Sequence, residues 1–277
     1  MKIGTSLLLQ SPGSVEVRAA LGHALAKDIP VVRATADMSS LCDAYSGGED
    51  LLPIGSVEFV RAAMCAAGVQ EPSPCPYPDA LIAWRKRPIT RMSKEAAVRY
   101  ASITDVFVKP ADQVKLFTGF VLSKDSARDK ESAEDAETLA TLPHNTPLYV
   151  SPPVTFLSEW RCYVSGQSLV GIARYDDREA DAPAPNMAAV WAMVHDYALD
   201  EDAPSAYALD VGVLSDGGTA LVEVNDAWAL GLYRGMDDIA AYLSMLESRW
   251  VQLRNKPTTR AWRRRMVPSQ ARPIFGC

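Results

Sequence analysis

The chain has 277 residues, of which 48% are hydrophobic, so it is long enough to build two or three packed subdomains around sizeable cores. Its formal net charge of −6 argues against a general affinity for nucleic acid or anionic membranes, because both need a basic protein surface. Five cysteines at irregular spacings form no Cys-x-x-Cys pair, which argues against structural zinc and favours a reduced, cytoplasmic protein. The sequence contains no apolar window of membrane-spanning length and no signal-peptide pattern at its start.

The N-terminal part of the chain alternates short apolar runs with helical patterns. Strands are predicted over residues 3–9 and 30–34, and helices over residues 15–26 and 57–67. Such an alternation is typical of a small α/β domain. The proline-dense segment 74–78 cannot continue a helix and predicts a linker, so we assign residues 1–85 to an N-terminal α/β domain.

A second unit is predicted to begin beyond this linker. Ser93 is placed to cap a helix, and residues 106–109 predict a strand that is broken by Pro110. The charged stretch from residue 123 to 142 predicts an exposed helix, and the apolar residues 148–150 after it predict a short strand.

The C-terminal part predicts two hairpins separated by a helix over residues 187–197, and a last helix over residues 237–253. From Arg254 onward the sequence has no carboxylate and is rich in arginine. Residues 254–277 therefore form a basic tail, which is either a solvated end of the chain or a segment that docks a partner.

One hairpin carries a predicted metal site. Its loop contains Asp216-Gly217, a strong signal for a two-residue turn. That turn places Asp210 directly opposite Glu223, and Asn225 joins them because residues two apart on a strand share a face. Three oxygen-bearing side chains are thus expected on one face of the hairpin.

Two carboxylates directly opposite each other repel, which makes the pair unfavourable in a purely structural hairpin. A divalent cation removes that repulsion, and magnesium prefers carboxylate oxygens together with water and phosphates. The alternative is an ordinary amphipathic hairpin in which Asp210 and Glu223 face solvent. A turn displaced by one residue would also separate the two groups, so spacing alone leaves both interpretations open.

In this hairpin the chain resembles the ATP-grasp superfamily, whose C-terminal lobe characteristically ends with an Asp on one strand and a Glu-x-Asn on the next. Asp210 and Glu223-Val224-Asn225 match that pattern in order and spacing. Further segments are similar to a bacterial and phage branch proposed to be amide-bond-forming ligases: residues 53–59, 156–161, 173–175, 222–227 and 231–233.

The resemblance implies an ATP-grasp fold of the α/β class and two cofactors, ATP and magnesium. It divides the chain into an N-terminal pre-ATP-grasp domain, an N-lobe, a C-lobe and the basic tail, over residues 1–85, 86–148, 149–253 and 254–277. Magnesium is expected on Asp210, Glu223 and Asn225. The residues expected to bind nucleotide are Lys109, Lys115, Thr118, Gly119, Val150, Ser151 and Glu159.

Within this set, the resemblance implies that Lys109 reaches the ATP phosphates and that residues 115–119 form a loop that closes over them. Lys109 could otherwise be a solubilising residue at a strand edge. Val150 and Ser151 lie where family members hold adenine through backbone hydrogen bonds. Many members carry a further lysine earlier in the chain, and several basic residues here compete for that role: Arg85, Lys86, Arg87, Arg91 and Lys94.

Glu159, Arg161 and Arg174 are predicted to share one face of the other hairpin. One interpretation is a cross-strand salt bridge that contributes little to stability. The other places Glu159 on the ribose and assigns Arg161 and Arg174 as catalytic residues on the transferred phosphate or a carboxylate substrate.

The resulting hypothesis is an ATP-dependent ligase that joins a small carboxylate to an amine through an acyl phosphate, with amino acids or peptides among the candidate substrates. No Gly-x-x-x-x-Gly-Lys or Gly-x-Ser-x-Gly motif supports the commoner ATPase and hydrolase readings. Two alternatives remain: a nucleotide-binding module without catalysis, and a ligase that acts on a macromolecular partner.

Overall fold

The computed structural model describes residues 5–112, 116–123, 133–176 and 181–255. Within these residues the strands form three sheets, one parallel and two antiparallel, with helices packed against them. The predicted α/β class is confirmed by this mixture of elements.

The first sheet is parallel and has the strand order β2-β1-β3. Its strands are β1 (Ser6–Gln10), β2 (Val31–Ala34) and β3 (Leu51–Ile54), and its helices are α1 (Val15–Ala26), α2 (Met38–Tyr45) and α3 (Val57–Ala66). The side chains of Leu7, Leu8 and Leu9 are fully buried because β1 lies in the centre of the sheet with both faces covered. Sequence reasoning missed α2 and β3, although the Asp37 side chain caps α2 by accepting a hydrogen bond from the Ser40 amide.

The second sheet is antiparallel, in the order β4-β7-β5-β6. Its strands are β4 (Thr90–Ser93), β5 (Val106–Pro110), β6 (Phe120–Leu122) and β7 (Pro147–Ser151), with helices α4 (Lys94–Ala101) and α5 (Ala133–Thr141). Ser93 caps α4 as predicted, through its hydroxyl and the Ala96 amide. Residues 106–109 form a strand as predicted, and β5 ends at Pro110, which pairs with Leu148 as the last residue of the strand.

The third sheet is antiparallel and has the order β11-β10-β8-β9. Its strands are β8 (Ser158–Ser165), β9 (Ser168–Arg174), β10 (Ala206–Val213) and β11 (Thr219–Asp226). Helix α6 (Met187–Ala198) packs on one face and α7 (Ile239–Asn255) on the other. On the α7 face, Tyr163 of β8 and Ala208 of β10 lie in the core. Arg161 and Asp210 are each two residues away on the same strands and pair with each other. The part of this face next to the α7 core is therefore polar.

The connection between the first two sheets runs along the edge of the third. The Pro76 carbonyl accepts a hydrogen bond from the Val224 amide of β11 at 2.9 Å, and a 3-10 helix, Asp79–Trp84, follows. None of the helices in the described ranges is long and apolar enough to cross a bilayer.

Candidate active site

The β10–β11 hairpin places Asp210 opposite Glu223 and Ala208 opposite Asn225, as predicted. Between Asp210 and Val211 the register shifts, because Val211 pairs with Leu221 and leaves Val222 as an extra residue on β11. A β-bulge of this kind changes the direction of the side chains that follow it. If the pairing near the loop continued unchanged, Asp210 would lie opposite Val222, and the Glu223 side chain would point to the other face.

The predicted two-residue turn at Asp216-Gly217 is wrong. The Leu214 amide bonds to the Gly218 carbonyl, so the loop has three residues, and its last residue, Gly217, has a φ of +82°. Three-residue loops commonly end in this left-handed conformation, which glycine adopts without strain. The three-residue loop and the bulge compensate each other, and the predicted pairing of Asp210 with Glu223 is therefore correct.

Asp210 is the most buried carboxylate of the site, with 1% of its surface exposed. Arg161 binds it through two hydrogen bonds, from Nε to Oδ1 at 2.8 Å and from Nη2 to Oδ2 at 2.7 Å. Burial raises the pKa of Asp210 to about 6, although Arg161 opposes the shift; the nearby Glu223 carboxylate adds to it. The buried Asp210 carboxyl thus lies beside the half-buried carboxylate of Glu223.

Glu223 contacts the second sheet. Its Oε2 accepts a hydrogen bond from the Lys109 ammonium on β5, and its Oε1 accepts one from Asn225 Nδ2 at 3.2 Å. Burial opposes ionisation of Glu223, but Lys109 and Asn225 outweigh it, so the pKa of this carboxyl is lowered. The same Asn225 nitrogen donates to Asp210 Oδ2 at 2.8 Å, which links the two carboxylates.

Aromatic rings surround the Arg161 guanidinium. Its Cζ lies 5.0 Å from the centre of the Tyr233 ring and 5.6 Å from that of Tyr175, distances typical of cation–π contacts. The Tyr175 hydroxyl donates to Glu159 Oε2 at 2.7 Å. Because two guanidinium nitrogens are already bonded to Asp210, the role that fits Arg161 in this conformation is to hold that carboxylate.

The prediction that Arg174 shares a face with Glu159 and Arg161 is wrong. A register shift between Tyr163 and Val164 sets Arg174 opposite Trp160, so it points to the other face of the sheet. Its Nε donates to Asp176 Oδ1 at 2.8 Å. Arg174 therefore supports the chain after β9, and we leave it out of the proposed catalytic set.

A cleft of about 1050 Å³ opens beside these groups. Six of the residues proposed from the sequence line it: Lys109, Thr118, Gly119, Arg161, Glu223 and Asn225. The Thr118 amide donates to Asp135 Oδ1 on α5 at 3.0 Å, so that helix holds the end of the proposed phosphate loop. Lys115 lies outside the described residues, as does residue 256 and the basic tail beyond it.

Val150 and Ser151 end β7, where Val150 pairs with Val108 and Ser151 with Phe107. Both residues are buried, and their use as an adenine hinge stays a prediction. Four of the five basic residues left open by the sequence have structural or surface contacts: Arg85 binds the Pro78 carbonyl, Lys86 lies over Trp84, Arg91 pairs with Asp112, and Lys94 binds the carbonyls of Ala140 and Leu142. Arg87 differs because it contacts β11, the strand of Glu223.

The side chains fit a magnesium ion that is bound together with nucleotide. In the described part of the chain no three His, Cys, Asp or Glu side chains gather into a metal-binding group. The oxygen donors that lie together at this site are the carboxylates of Asp210 and Glu223 and the Asn225 amide. Such a small set of hard oxygen donors suits magnesium, which takes its other ligands from water and phosphates. A cation would also relieve the unfavourable burial of Asp210 beside Glu223.

Sequence reasoning did not single out several side chains of this site. Tyr77 from the linker lies under Lys109, whose Nζ is 5.6 Å from the ring centre. Tyr175 and Tyr233 stood within the motifs that carry the family resemblance, and that was the one available signal for them. Nothing in the sequence pattern pointed to Tyr77 or to the hydrogen bond between the Thr118 amide and Asp135.

A family model described as ATP-grasp domain, R2K clade family 3, matches residues 21–252. A comparison with curated protein sequences found no match. Among solved structures, a RimK-domain ATP-grasp protein from Sphaerobacter thermophilus is 17% identical, with 90% of this chain and 99% of that chain covered and a TM-score of 0.51. A D-alanine–D-alanine ligase from Bacillus anthracis is 12% identical, with 90% and 98% covered and a TM-score of 0.50. At these identities the likeness shows the fold, and it confirms the expected ATP-grasp architecture.

Proposed function

We propose, from the premise that this chain belongs to the ATP-grasp domain family R2K clade family 3, that it is an ATP-dependent ligase. The proposed reaction joins a carboxylate to an amine. The carboxylate oxygen attacks the γ-phosphorus of ATP, ADP leaves, and the amine then displaces phosphate from the acyl phosphate to form an amide.

One observation carries this proposal: the Lys109 ammonium binds Glu223 at the cleft, and Asn225 links Glu223 to the buried Asp210 carboxylate. An ATP-dependent ligase needs cationic groups on the triphosphate and oxygen donors for its metal in one place. A purely structural hairpin has no need for a buried carboxylate beside a second, half-buried one.

The chain's own residues act mainly by positioning. Lys109 exchanges its bond with Glu223 for a bond with a phosphate oxygen when the nucleotide enters, as a point charge on a strand can do. Arg161 fixes Asp210 in place, and Thr118 and Gly119 lie at the cleft wall where the phosphates would be covered. Glu159 is proposed to bind the ribose. Magnesium, when bound by Asp210, Glu223 and Asn225, supplies charge neutralisation.

The proposed substrates are small carboxylates and amines, with amino acids and peptides among them. One structural neighbour is by name a D-alanine–D-alanine ligase, which motivates amino acids as the first compounds to test. The chemical class of the amine that accepts the acyl group is part of the proposal, and the assay below identifies it.

The test is phosphate release from ATP and magnesium in the presence of pooled acids and amines. We expect release that depends on both an acid and an amine in the wild type, and loss of it in a Glu223→Ala, Asn225→Ala double variant. Glu201→Ala is the matched control because this exposed carboxylate is not part of the cleft wall. Normal turnover in the double variant would refute the metal assignment. Magnesium-dependent ATP binding without acceptor-dependent release would identify a nucleotide-binding module instead.

A further inference from the structure

Strand β11 carries Glu223 and Asn225 at the edge of the third sheet. An edge strand has backbone groups on one side without a partner strand, and a bulge in it leaves an extra residue unpaired. The bulged residue, Val222, directly precedes Glu223. Whatever holds the bulge therefore also sets the direction of the Glu223 side chain.

Arg87 meets this bulge. Its Nη1 donates to the Leu221 carbonyl at 2.8 Å, and its Nη2 donates to the Val222 carbonyl at 3.2 Å. Leu221 is the last residue paired on the loop side of the register shift, and Val222 is the extra residue. One planar guanidinium thus binds two neighbouring carbonyls of the bulge, a fork geometry that arginine provides and lysine does not.

The guanidinium of Arg87 is itself held from several sides. Nη1 also donates to the Arg85 carbonyl at 2.9 Å, and Cζ lies 5.7 Å from the centre of the Phe156 ring. Tyr77, the residue beneath Lys109, also interacts electrostatically with Arg87. The Pro76 carbonyl accepts a hydrogen bond from the Val224 amide. Arg87 and Pro76 thus bind backbone groups at the edge of β11 on both sides of Glu223.

We infer that Arg87 is a positioning residue for the metal site: by binding the carbonyls of Leu221 and Val222, it fixes the bulge that turns Glu223 toward Asp210. The inference rests on the proposed function, because it takes Glu223 as a metal ligand. In this role Arg87 holds strand β11 in place. The role differs from direct contact with nucleotide, which the sequence left open for Arg87.

The variants Arg87→Ala and Arg87→Lys test this assignment, with Arg91→Ala as the control because Arg91 forms an exposed ion pair with Asp112. The first readout is backbone amide exchange of residues 219–226 in the ligand-free protein, followed by mass spectrometry. The second is the affinity for Mn²⁺ in the presence of a non-hydrolysable ATP analogue, followed by electron paramagnetic resonance.

We expect faster exchange over residues 219–226 in Arg87→Ala, together with an affinity for Mn²⁺ that is lower by about 10- to 100-fold, the usual effect of losing a group that orients a metal ligand. Arg87→Lys should fall between wild type and Arg87→Ala, because one ammonium replaces a two-nitrogen fork. If Arg87→Ala does not fold, the intermediate behaviour of Arg87→Lys decides. The control should match the wild type in both readouts.

Wild-type exchange and wild-type Mn²⁺ affinity in the Arg87 variants would overturn the inference. So would wild-type exchange combined with weaker affinity, because that result indicates direct contact with nucleotide. A wild-type protein that binds no Mn²⁺ with the analogue would refute the proposed function instead, and the exchange measurement would still report whether Arg87 holds the strand.

Discussion

Lys109 on β5 and Glu223 on β11 form an ion pair that joins the two antiparallel sheets across the cleft. The ammonium also lies over the Tyr77 ring and is attracted by Asp210. Burial disfavours the charged form of Lys109, but these anionic and aromatic neighbours outweigh it and raise its pKa. Lys109 therefore stays protonated near neutral pH and is ready to bind a phosphate oxygen in place of Glu223.

Replacing Lys109 with methionine keeps most of the side-chain volume and removes the charge. We expect Lys109→Met to weaken ATP binding by about 10- to 100-fold, the range for losing one hydrogen bond to a charged group. Isothermal titration with ATP and magnesium measures the change. Lys86→Met is the matched control, since Lys86 is exposed and contacts Trp84. Equal ATP affinity in both variants would contradict the role given to Lys109.

The raised pKa of Asp210, about 6, predicts how metal binding depends on pH. Magnesium and manganese bind the ionised carboxylate, so a proton on Asp210 competes with the metal. We expect the affinity for Mn²⁺ with an ATP analogue to be constant above this pKa and to fall below it, approaching about ten-fold per pH unit. Titrations between pH 5 and pH 8 by electron paramagnetic resonance measure the midpoint.

Arg161 provides the control for this assignment, because its two hydrogen bonds stabilise the ionised form of Asp210. Arg161→Met should move the midpoint of the metal-binding profile to higher pH. The same pKa shift of Asp210 makes folding stability depend on pH in the other direction from metal binding. Asp210 ionises near 3.8 when unfolded and near 6 when folded, so its contribution to stability is full below about pH 4 and is lost as the pH rises through 6. An unchanged midpoint in Arg161→Met would assign the pH dependence to another group.

The two hairpins show how far sequence reasoning reaches. Alternation along β10 and β11 identified the face that Asp210 and Glu223 share, because a strand repeats every two residues. In the β8–β9 hairpin the same reasoning placed Arg174 on the wrong face. Each hairpin contains a bulge, and a single extra residue reverses every side chain beyond it.

The bulge at Val222 has no local sequence signal, because the group that holds it comes from a distant segment. At Val222 the donor is Arg87, which is 135 positions away in the sequence. The helices α1, α3 and α6 were predictable because their apolar spacing and N-terminal positions are local properties. Tyr77 and Asp135 were not, since their roles depend on a linker and a helix meeting the cleft.

Gly212 on β10 offers a test of how tightly the third sheet is packed near the site. It pairs with Glu159, and a Cβ atom at this position would clash with the Phe156 ring, the same ring that lies beside Arg87. We expect Gly212→Ala to lower the free energy of unfolding by about 1–3 kcal/mol, the usual effect of overpacking a core. Adding Phe156→Leu should recover part of that loss, which a double-mutant cycle in urea would measure.

Gly22→Ala is the matched control: it lies in α1 with open space around it and should raise stability by about 0.5–1 kcal/mol. Strictly additive effects of the Gly212 and Phe156 changes would show that the ring does not fill the space above this strand.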